Sequence, residues 1–219
     1  MRRSILPAAL ALASAWASAC AHLPPLAPVA GDSPAEVSAR CRRAFPAQPW
    51  RATHAIFASL PFGQNSGLVG VTAATGGELH AVLLSPEGIS LFDGTQGKDG
   101  AGGPALVVHR AVPPFDRPAF AQSLMADVGH IYLSPAGEPT AIGRYPTGQV
   151  VCRWSRPGDE TTDVELAADG PRFIRTYRDV HATREIELVG SAPDGFFPEI
   201  RLRVPGGGYQ LDMRLVDHE

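Results

Sequence analysis

The apolar residues of the chain follow one spacing before Trp50 and a different spacing after it. Val37, Cys41 and Phe45 recur at a spacing of four residues after Ser33-Pro34, a pattern typical of one face of a capped helix. From Trp50 onward apolar and polar residues alternate with a period of two, which indicates β-strands separated by glycine- and proline-containing turns. The pattern therefore predicts a mostly β protein with a few helices.

The alternation predicts about eleven strands, antiparallel because short turns connect many of them. A second amphipathic helix is predicted in mid-chain. Asp116 is its expected N-cap, Phe115 and Phe120 its hydrophobic staple, and Gly129 its C-terminal cap. The glycine-rich segment 94–103 is predicted to be a loop. The predicted strands are 53–60, 68–74, 78–84, 89–93, 105–110, 149–155, 163–167, 172–177, 184–189, 199–204 and 209–216.

A sheet of about ten or eleven antiparallel strands curls strongly, because large open sheets twist. We therefore expect an α+β fold, mostly β, in which a curved half-barrel is covered by two or three short helices. Such helices fill a half-barrel only partly, which leaves an apolar ligand-binding cavity. Its predicted lining is Phe57, Val69, Val71, Leu83, Phe120, Leu124, Val128, Ile174, Ile186, Leu202, Leu211 and Met213.

The first twenty residues have the features of an export signal. Arg2 and Arg3 precede an apolar run, and Ala17-Ser18-Ala19 forms a small-residue cleavage site followed by Cys20. This resembles a lipobox, with residues 1–19 as the signal peptide and Cys20 as the acylated residue of an anchored lipoprotein. The same three small residues also suit the ordinary signal peptidase, which would release a soluble periplasmic protein.

Residues 20–32 are predicted to form a flexible tether, because their prolines prevent a helix and favour an extended chain. Fully extended, it would hold the remaining domain, residues 33–219, roughly 30 Å or more from the membrane. About 200 residues after the signal peptide suffice for a single domain with a sizeable core.

Charge and cysteine content narrow the possible roles. Without Arg2 and Arg3, 17 basic residues face 22 acidic ones, a net charge of −5. Nucleic acid is therefore not an expected partner, because phosphate binding requires a basic surface. In an oxidising compartment Cys41 and Cys152 are the only remaining pair after Cys20, so they form either a disulfide or two buried thiols.

The sequence contains no recognisable catalytic or metal motif. Its seven histidines include no H-x-x-x-H or H-E-x-x-H pair, and there is no G-x-S-x-G segment. We therefore expect no cofactor, no metal and no enzymatic activity, although an envelope hydrolase with an unfamiliar site remains a third hypothesis.

Two stretches carry a resemblance to a known family. Residues 81–88 (Ala-Val-Leu-Leu-Ser-Pro-Glu-Gly) resemble a strand that leads into a protruding loop, and residues 198–215 resemble a closing hairpin. With the export signal, the capped first helix and the mid-chain helix, they resemble LolB-like outer-membrane lipoproteins of the LolA/LolB superfamily of lipoprotein carriers and receptors. The resemblance extends over most of residues 33–219.

The resemblance implies an outer-membrane lipoprotein, facing the periplasm, that binds lipid or acylated protein cargo and receives it from a LolA-like periplasmic carrier. In that family the protruding loop carries an exposed apolar residue, and here the loop is Pro86, Glu87 and Gly88. The carboxylate of Glu87 opposes insertion of the loop into hydrocarbon. The alternative is a structural or scaffold lipoprotein of the envelope with a packed core and no ligand.

Overall fold

The structure, a computed structural model, describes residues 23–29, 31–59, 65–98, 104–155, 160–206 and 208–219. The predicted signal peptide and Cys20 lie outside the described residues. Among the described residues, no helix combines the length and the apolar character required to span a membrane.

Twelve antiparallel strands form one open, curved sheet, in the order β5-β4-β3-β2-β1-β12-β11-β10-β9-β8-β7-β6. The mostly β half-barrel expected from the sequence is confirmed. β5 and β6 form the two edges of the sheet. The strands are β1 Trp50–Ser59, β2 Asn65–Thr75, β3 Glu78–Leu84, β4 Ser90–Lys98, β5 Pro104–Ala111, β6 Ala141–Arg144, β7 Val150–Trp154, β8 Thr161–Ala167, β9 Gly170–Arg178, β10 His181–Val189, β11 Glu199–Val204 and β12 Tyr209–His218.

The strand predictions fail at two places. β6 was not predicted, because its four residues carry too little alternation to be recognised. β4 continues to Lys98, through part of the segment predicted to be a loop. Gly94 is needed within this strand because a β-carbon there would lie 2.6 Å from Phe92 Cζ, so the glycine makes room for the buried ring. Residues 99–103 of the predicted loop lie outside the described residues.

Two helices cover the concave face of the sheet in the part of the chain that the structure describes. Helix α1, Pro34–Arg42, contacts strands β6 to β9, and helix α2, Pro118–Tyr132, contacts β3 and β9. Ser33 is the N-cap of α1, but its side chain makes no capping hydrogen bond, so the capping box that Ser33 and Glu36 could form is absent.

The ends of α2 differ from the prediction. Its N-cap is Arg117 and not Asp116, because Pro118 sets the first helical turn. The expected aromatic contact is present, with the Phe115 and Phe120 ring centroids 5.2 Å apart. Gly129 does not end the helix. It remains inside, and its carbonyl accepts a hydrogen bond from the Leu133 N–H.

The core lies between the helices and the concave face. Val37 and Cys41 of α1 pack on the same buried cluster as Ile174, Ile186 and Leu202 from the middle of the sheet. These side chains come from alternate positions of their strands, so neighbouring residues face outward. The outward residues of β10 to β12 are largely charged, which explains the clear polar alternation of those strands.

Part of the segment predicted to be a free tether is docked on the domain. Ala27 pairs with Arg144 at the edge of β6 through two backbone hydrogen bonds, N to O 2.9 and 2.7 Å. The Pro24 carbonyl accepts a hydrogen bond of 3.0 Å from Arg153 Nη2. The described residues of this segment therefore restrict its reach.

Candidate functional site

A small void lies between one side of α2 and the concave face of strands β1 to β4 and β12. Its volume is about 40 Å³. Binding pockets for small molecules usually measure about 300–1,000 Å³, so the void is too small for an acyl chain as it stands. It is lined by His54, Ile56, Gly70, Thr72, Ala81, Val82, Leu83, Phe92, Leu124, Asp127, Val128, Ile131, Leu211 and Met213.

An open groove runs along the other side of α2. Its volume is about 700 Å³, within the range of ligand pockets. Apolar side chains of Phe45, Met125, Leu133 and Trp154 form much of its wall. The remaining lining is Gln96, Ala126, Gly129, His130, Pro135, Ala136, Glu138, Thr140, Ser155, Glu160 and Thr162. The groove is thus open to the surface, with an apolar floor and a polar rim, and α2 separates it from the void.

A buried ionic contact fixes the middle of α2. Asp127 accepts hydrogen bonds from Arg184 on β10 and from the Tyr209 hydroxyl on β12, and the Asp127 side chain is only 4% exposed. Burial and the neighbouring Asp127 charge raise the pKa of Tyr209 above its ordinary value, so its hydroxyl stays protonated as a donor. These contacts oppose any movement of α2 away from the sheet.

The second half of α2 is held by two histidine contacts. His130 pairs with Glu160 at the rim of the groove. Burial favours the neutral acid of Glu160, but the His130 hydrogen bond and nearby arginines outweigh it and lower the pKa of Glu160. The Tyr132 hydroxyl lies 3.1 Å from His54 Nε2 on β1. Burial, with a smaller effect of His218, lowers the pKa of His54 to about 4, so this imidazole is neutral at pH 7.

The twelve residues predicted to line a cavity are divided among four places. Leu83, Leu124, Val128, Leu211 and Met213 surround the void. Ile174, Ile186 and Leu202 are completely or almost completely buried in the core, as packing residues. Phe120 is 38% exposed at the start of α2.

The other three residues, Phe57, Val69 and Val71, were assigned to the wrong face. Register places them on the convex face, since Phe57 pairs with Asp212 and Val69 pairs with Ala55. The concave side of β2 instead carries small residues such as Gly70, where a β-carbon would lie only 2.7 Å from Ile56 Cδ1. Both faces of β1 and β2 are apolar, so alternation alone could not identify the inner one.

The predicted protruding loop, Pro86, Glu87 and Gly88, is a tight turn between β3 and β4. Gly88 N–H donates to the Ser85 carbonyl at 2.9 Å, and a hydrogen bond from Ser85 lowers the pKa of the exposed Glu87. Ile89, which follows the turn, is 57% exposed. The loop therefore presents a carboxylate and an apolar side chain next to each other.

Cys41 and Cys152 are joined by a disulfide in the structure, with 6.3 Å between their Cα atoms. The bond links α1 to β7, beside Trp154 of the groove. Sequence spacing alone left the pair open between a disulfide and two thiols.

The strands bring two histidines together that lie far apart in sequence. The rings of His80 and His109 are 6.4 Å apart on the convex face, where His80 Nε2 contacts Asp93 at 2.8 Å. In the described part of the chain, no group of three His, Cys, Asp or Glu side chains is arranged to hold a metal ion.

Sequence reasoning missed the groove and the polar contacts of α2. One signal was available: Asp127 follows Leu124 by three residues and precedes Ile131 by four, so a carboxylate lies on the apolar face of the helix. A charge in such a position needs a buried partner. The identity of that partner, Arg184, depends on the long-range order of the strands and has no local signal.

Solved structures with the same architecture exist despite very low sequence identity. A DUF1329 family protein from Desulfovibrio piger has a TM-score of 0.54 at 8% identity, over 85% of this chain and 91% of the other. A LolA superfamily protein from Nitrosomonas europaea has a TM-score of 0.51 at 8% identity, over 86% and 93%. The chain has a LolA/LolB-like fold.

A third structure supports the same conclusion about the LolA/LolB-like fold. An outer membrane lipoprotein-sorting protein domain from Vibrio parahaemolyticus has a TM-score of 0.50 at 11% identity, over 84% of this chain and 90% of that domain. No protein-family model matches the sequence, and no curated protein matches it. At these identities the likeness shows the fold alone.

Proposed function

We propose that this protein is an envelope lipoprotein that binds a lipid or the acyl chain of lipoprotein cargo on the concave side of its half-barrel. The groove carries the proposal, because it is open to the surface, has an apolar floor and measures about 700 Å³ in volume. Burial of an acyl chain there would contribute roughly 25 cal/mol per Å² of apolar surface removed from water. Binding of this kind requires no catalytic residue.

Helix α2 is the element that decides how much of a ligand is covered. It separates the groove from the small void, and outward movement would join the two spaces. The contacts Asp127–Arg184 and His130–Glu160 would then have to break. We expect a ligand to enter the groove first, with its apolar end directed under α2.

The direct test is purification of residues 21–219 from a periplasm without detergent, followed by native mass spectrometry. We expect a bound acylated ligand in wild-type protein. Ala126→Trp would fill the groove and remove that ligand, because Ala126 lines its wall. Gln122→Trp is the matched control, since Gln122 is exposed one turn earlier on the same helix and is not part of the lining. Equal ligand content in the two variants would contradict the groove as the binding site.

The small size of the void favours a second candidate, a scaffold lipoprotein with a packed interior. A protein that carries no ligand and excludes apolar dyes would support the scaffold. Turnover of ester or glycan substrates would instead support an envelope hydrolase.

The anchor is a separate part of the proposal. We infer that Cys20 is acylated and that the protein faces the periplasm from the outer membrane, with a LolA-like carrier as its partner. Cys20→Ala should abolish acylation and release the protein from membranes. Membrane attachment that persists in this variant would contradict the anchor but not the groove.

A further inference from the structure

The segment Pro24–Val29, here called the strap, packs against the edge of the sheet. Ala27 adds a strand bridge to β6, the Pro24 carbonyl accepts from Arg153, and Val29 packs against the core cluster. Residue 30 lies outside the described residues. The strap therefore covers one edge of the sheet before the chain reaches α1.

The sheet is shaped to receive the strap. A β-carbon at Gly143 would lie 2.5 Å from Leu26 Cβ and 2.9 Å from the Ala27 carbonyl oxygen, so only glycine permits this approach. Arg153 is itself held by the fully buried Asp163, at 2.7 and 2.6 Å. The Tyr145 hydroxyl donates to the same carboxylate at 2.6 Å. The side chain of Arg153 is thus fixed in position by Asp163 before it binds the strap.

We infer that the strap shortens the anchor and holds the β6 side of the domain against the lipid surface. This inference rests on the proposed acylation of Cys20. Only four peptide units connect Cys20 to Pro24, and a chain spans at most about 3.6 Å per residue, so the separation is at most about 14 Å. A free tether of residues 20–32 would permit roughly twice that reach or more.

The position of the strap also orients the groove. Arg153, which holds the strap, and Trp154, which lines the groove, are consecutive residues of β7 on opposite faces of the sheet. Thr140, which immediately precedes β6, lines the same groove. The strap therefore places the groove beside the bilayer, where an acyl chain crosses a short distance between the protein and the lipid. The Glu87 turn, which follows β3, lies at the same end of the strands as Thr140, because β3 and β6 run in opposite directions.

Hydrogen exchange on residues 21–219 tests the strap without any membrane. The amides of Ala27 and Arg144 should be protected, because each donates across the bridge. Ala27→Pro removes one donor, and we expect exchange at Arg144 to become about tenfold faster. Gly143→Ala should have the same effect from the sheet side. Gly67→Ala is its control, since a β-carbon there meets only Pro86 Cγ at 3.9 Å. Unprotected amides in wild-type protein would overturn the inference.

Neutron reflectometry on a supported bilayer tests the short anchor. Mature acylated protein, residues 20–219, should show a gap between headgroups and protein of no more than about 14 Å. The Ala27→Pro variant, with six more residues freed, should show a gap at least about 1.5-fold wider. Equal gaps in the two proteins would overturn the inference.

The same measurement separates failure of the inference from failure of the anchor. If mass spectrometry finds Cys20 without acyl chains, the proposed anchor is wrong. The mature chain is then coupled through the Cys20 thiol to a maleimide phospholipid, and the gap is measured again. A narrow gap that widens in Ala27→Pro supports the strap even in that case, whereas a wide wild-type gap refutes it.

Discussion

The two halves of the half-barrel achieve stability by different means. Strands β6 to β9 are covered by α1, linked to it by the Cys41–Cys152 disulfide and bordered by the strap. Strands β1 to β4 face α2, which is held by apolar packing and a few buried polar contacts without any covalent bond. The difference indicates that the α1 half is the fixed frame and that α2, which is held by non-covalent contacts, is the element that can move if those contacts break, as the proposed ligand binding requires.

The largest expected effect on stability comes from removal of the disulfide that links α1 to the sheet. Removing the disulfide in Cys41→Ala/Cys152→Ala should reduce the free energy of unfolding by about 4 kcal/mol, since the bond closes a loop with a sequence separation of 111 residues. Urea unfolding of residues 21–219 measures this loss. Thiol titration of the same residues 21–219 with both cysteines present, unfolded and unreduced, should find no free thiol, and two thiols would show that the α1 half lacks its covalent link.

The next largest effect on stability comes from breaking the buried ionic contact of α2. Asp127→Ala leaves Arg184 buried without its partner, so we expect a loss of about 3 kcal/mol in urea unfolding. Asp116→Ala, which changes an exposed acid just before the same helix, should remain within about 0.5 kcal/mol of wild type. If Asp127→Ala has no greater effect than Asp116→Ala, the buried contact does not hold α2.

Acidification should destabilise the contacts of α2 with the sheet more than those of α1. The pKa of His54 is about 4 in the folded state, below the ordinary value of 6.5, so unfolding is promoted by proton uptake. Its stabilising contribution is fully present above pH 6.5 and is lost as the pH falls toward 4. Between pH 7.5 and 4.5 this loss amounts to about 2 to 3 kcal/mol.

His54→Gln isolates this contribution, because glutamine retains a polar partner for Tyr132 and does not titrate. We expect wild type to lose about 2 to 3 kcal/mol more than the variant over that pH range in urea unfolding. A parallel decline of both proteins would show that the pH dependence arises from other groups.

The sequence and the structure agree where a pattern is local. Period-two alternation identified most strands, and the Phe115–Phe120 staple with the following apolar residues identified α2. The site was less predictable, because it depends on contacts between distant strands. Trp154 reaches the groove only through the order of β6 to β8. Phe57 was misplaced because β1 is apolar on both faces, and only the small residue Gly70 on β2 reveals which face receives α2.

The smallest expected change in stability comes from adding methyl groups on the two sides of α2. Val128 borders the void of about 40 Å³, so Val128→Ile adds one methyl group where unfilled space exists. We expect a gain of up to about 0.8 kcal/mol, the value of one buried methylene, in urea unfolding. Ala126→Val, on the groove side, adds apolar surface that stays partly exposed and gains less. If Val128→Ile instead loses more than about 1 kcal/mol, the interior under α2 is already full and the packed scaffold is favoured. A gain would mean that α2 covers space not yet filled by side chains, as a helix that closes over an acyl chain requires.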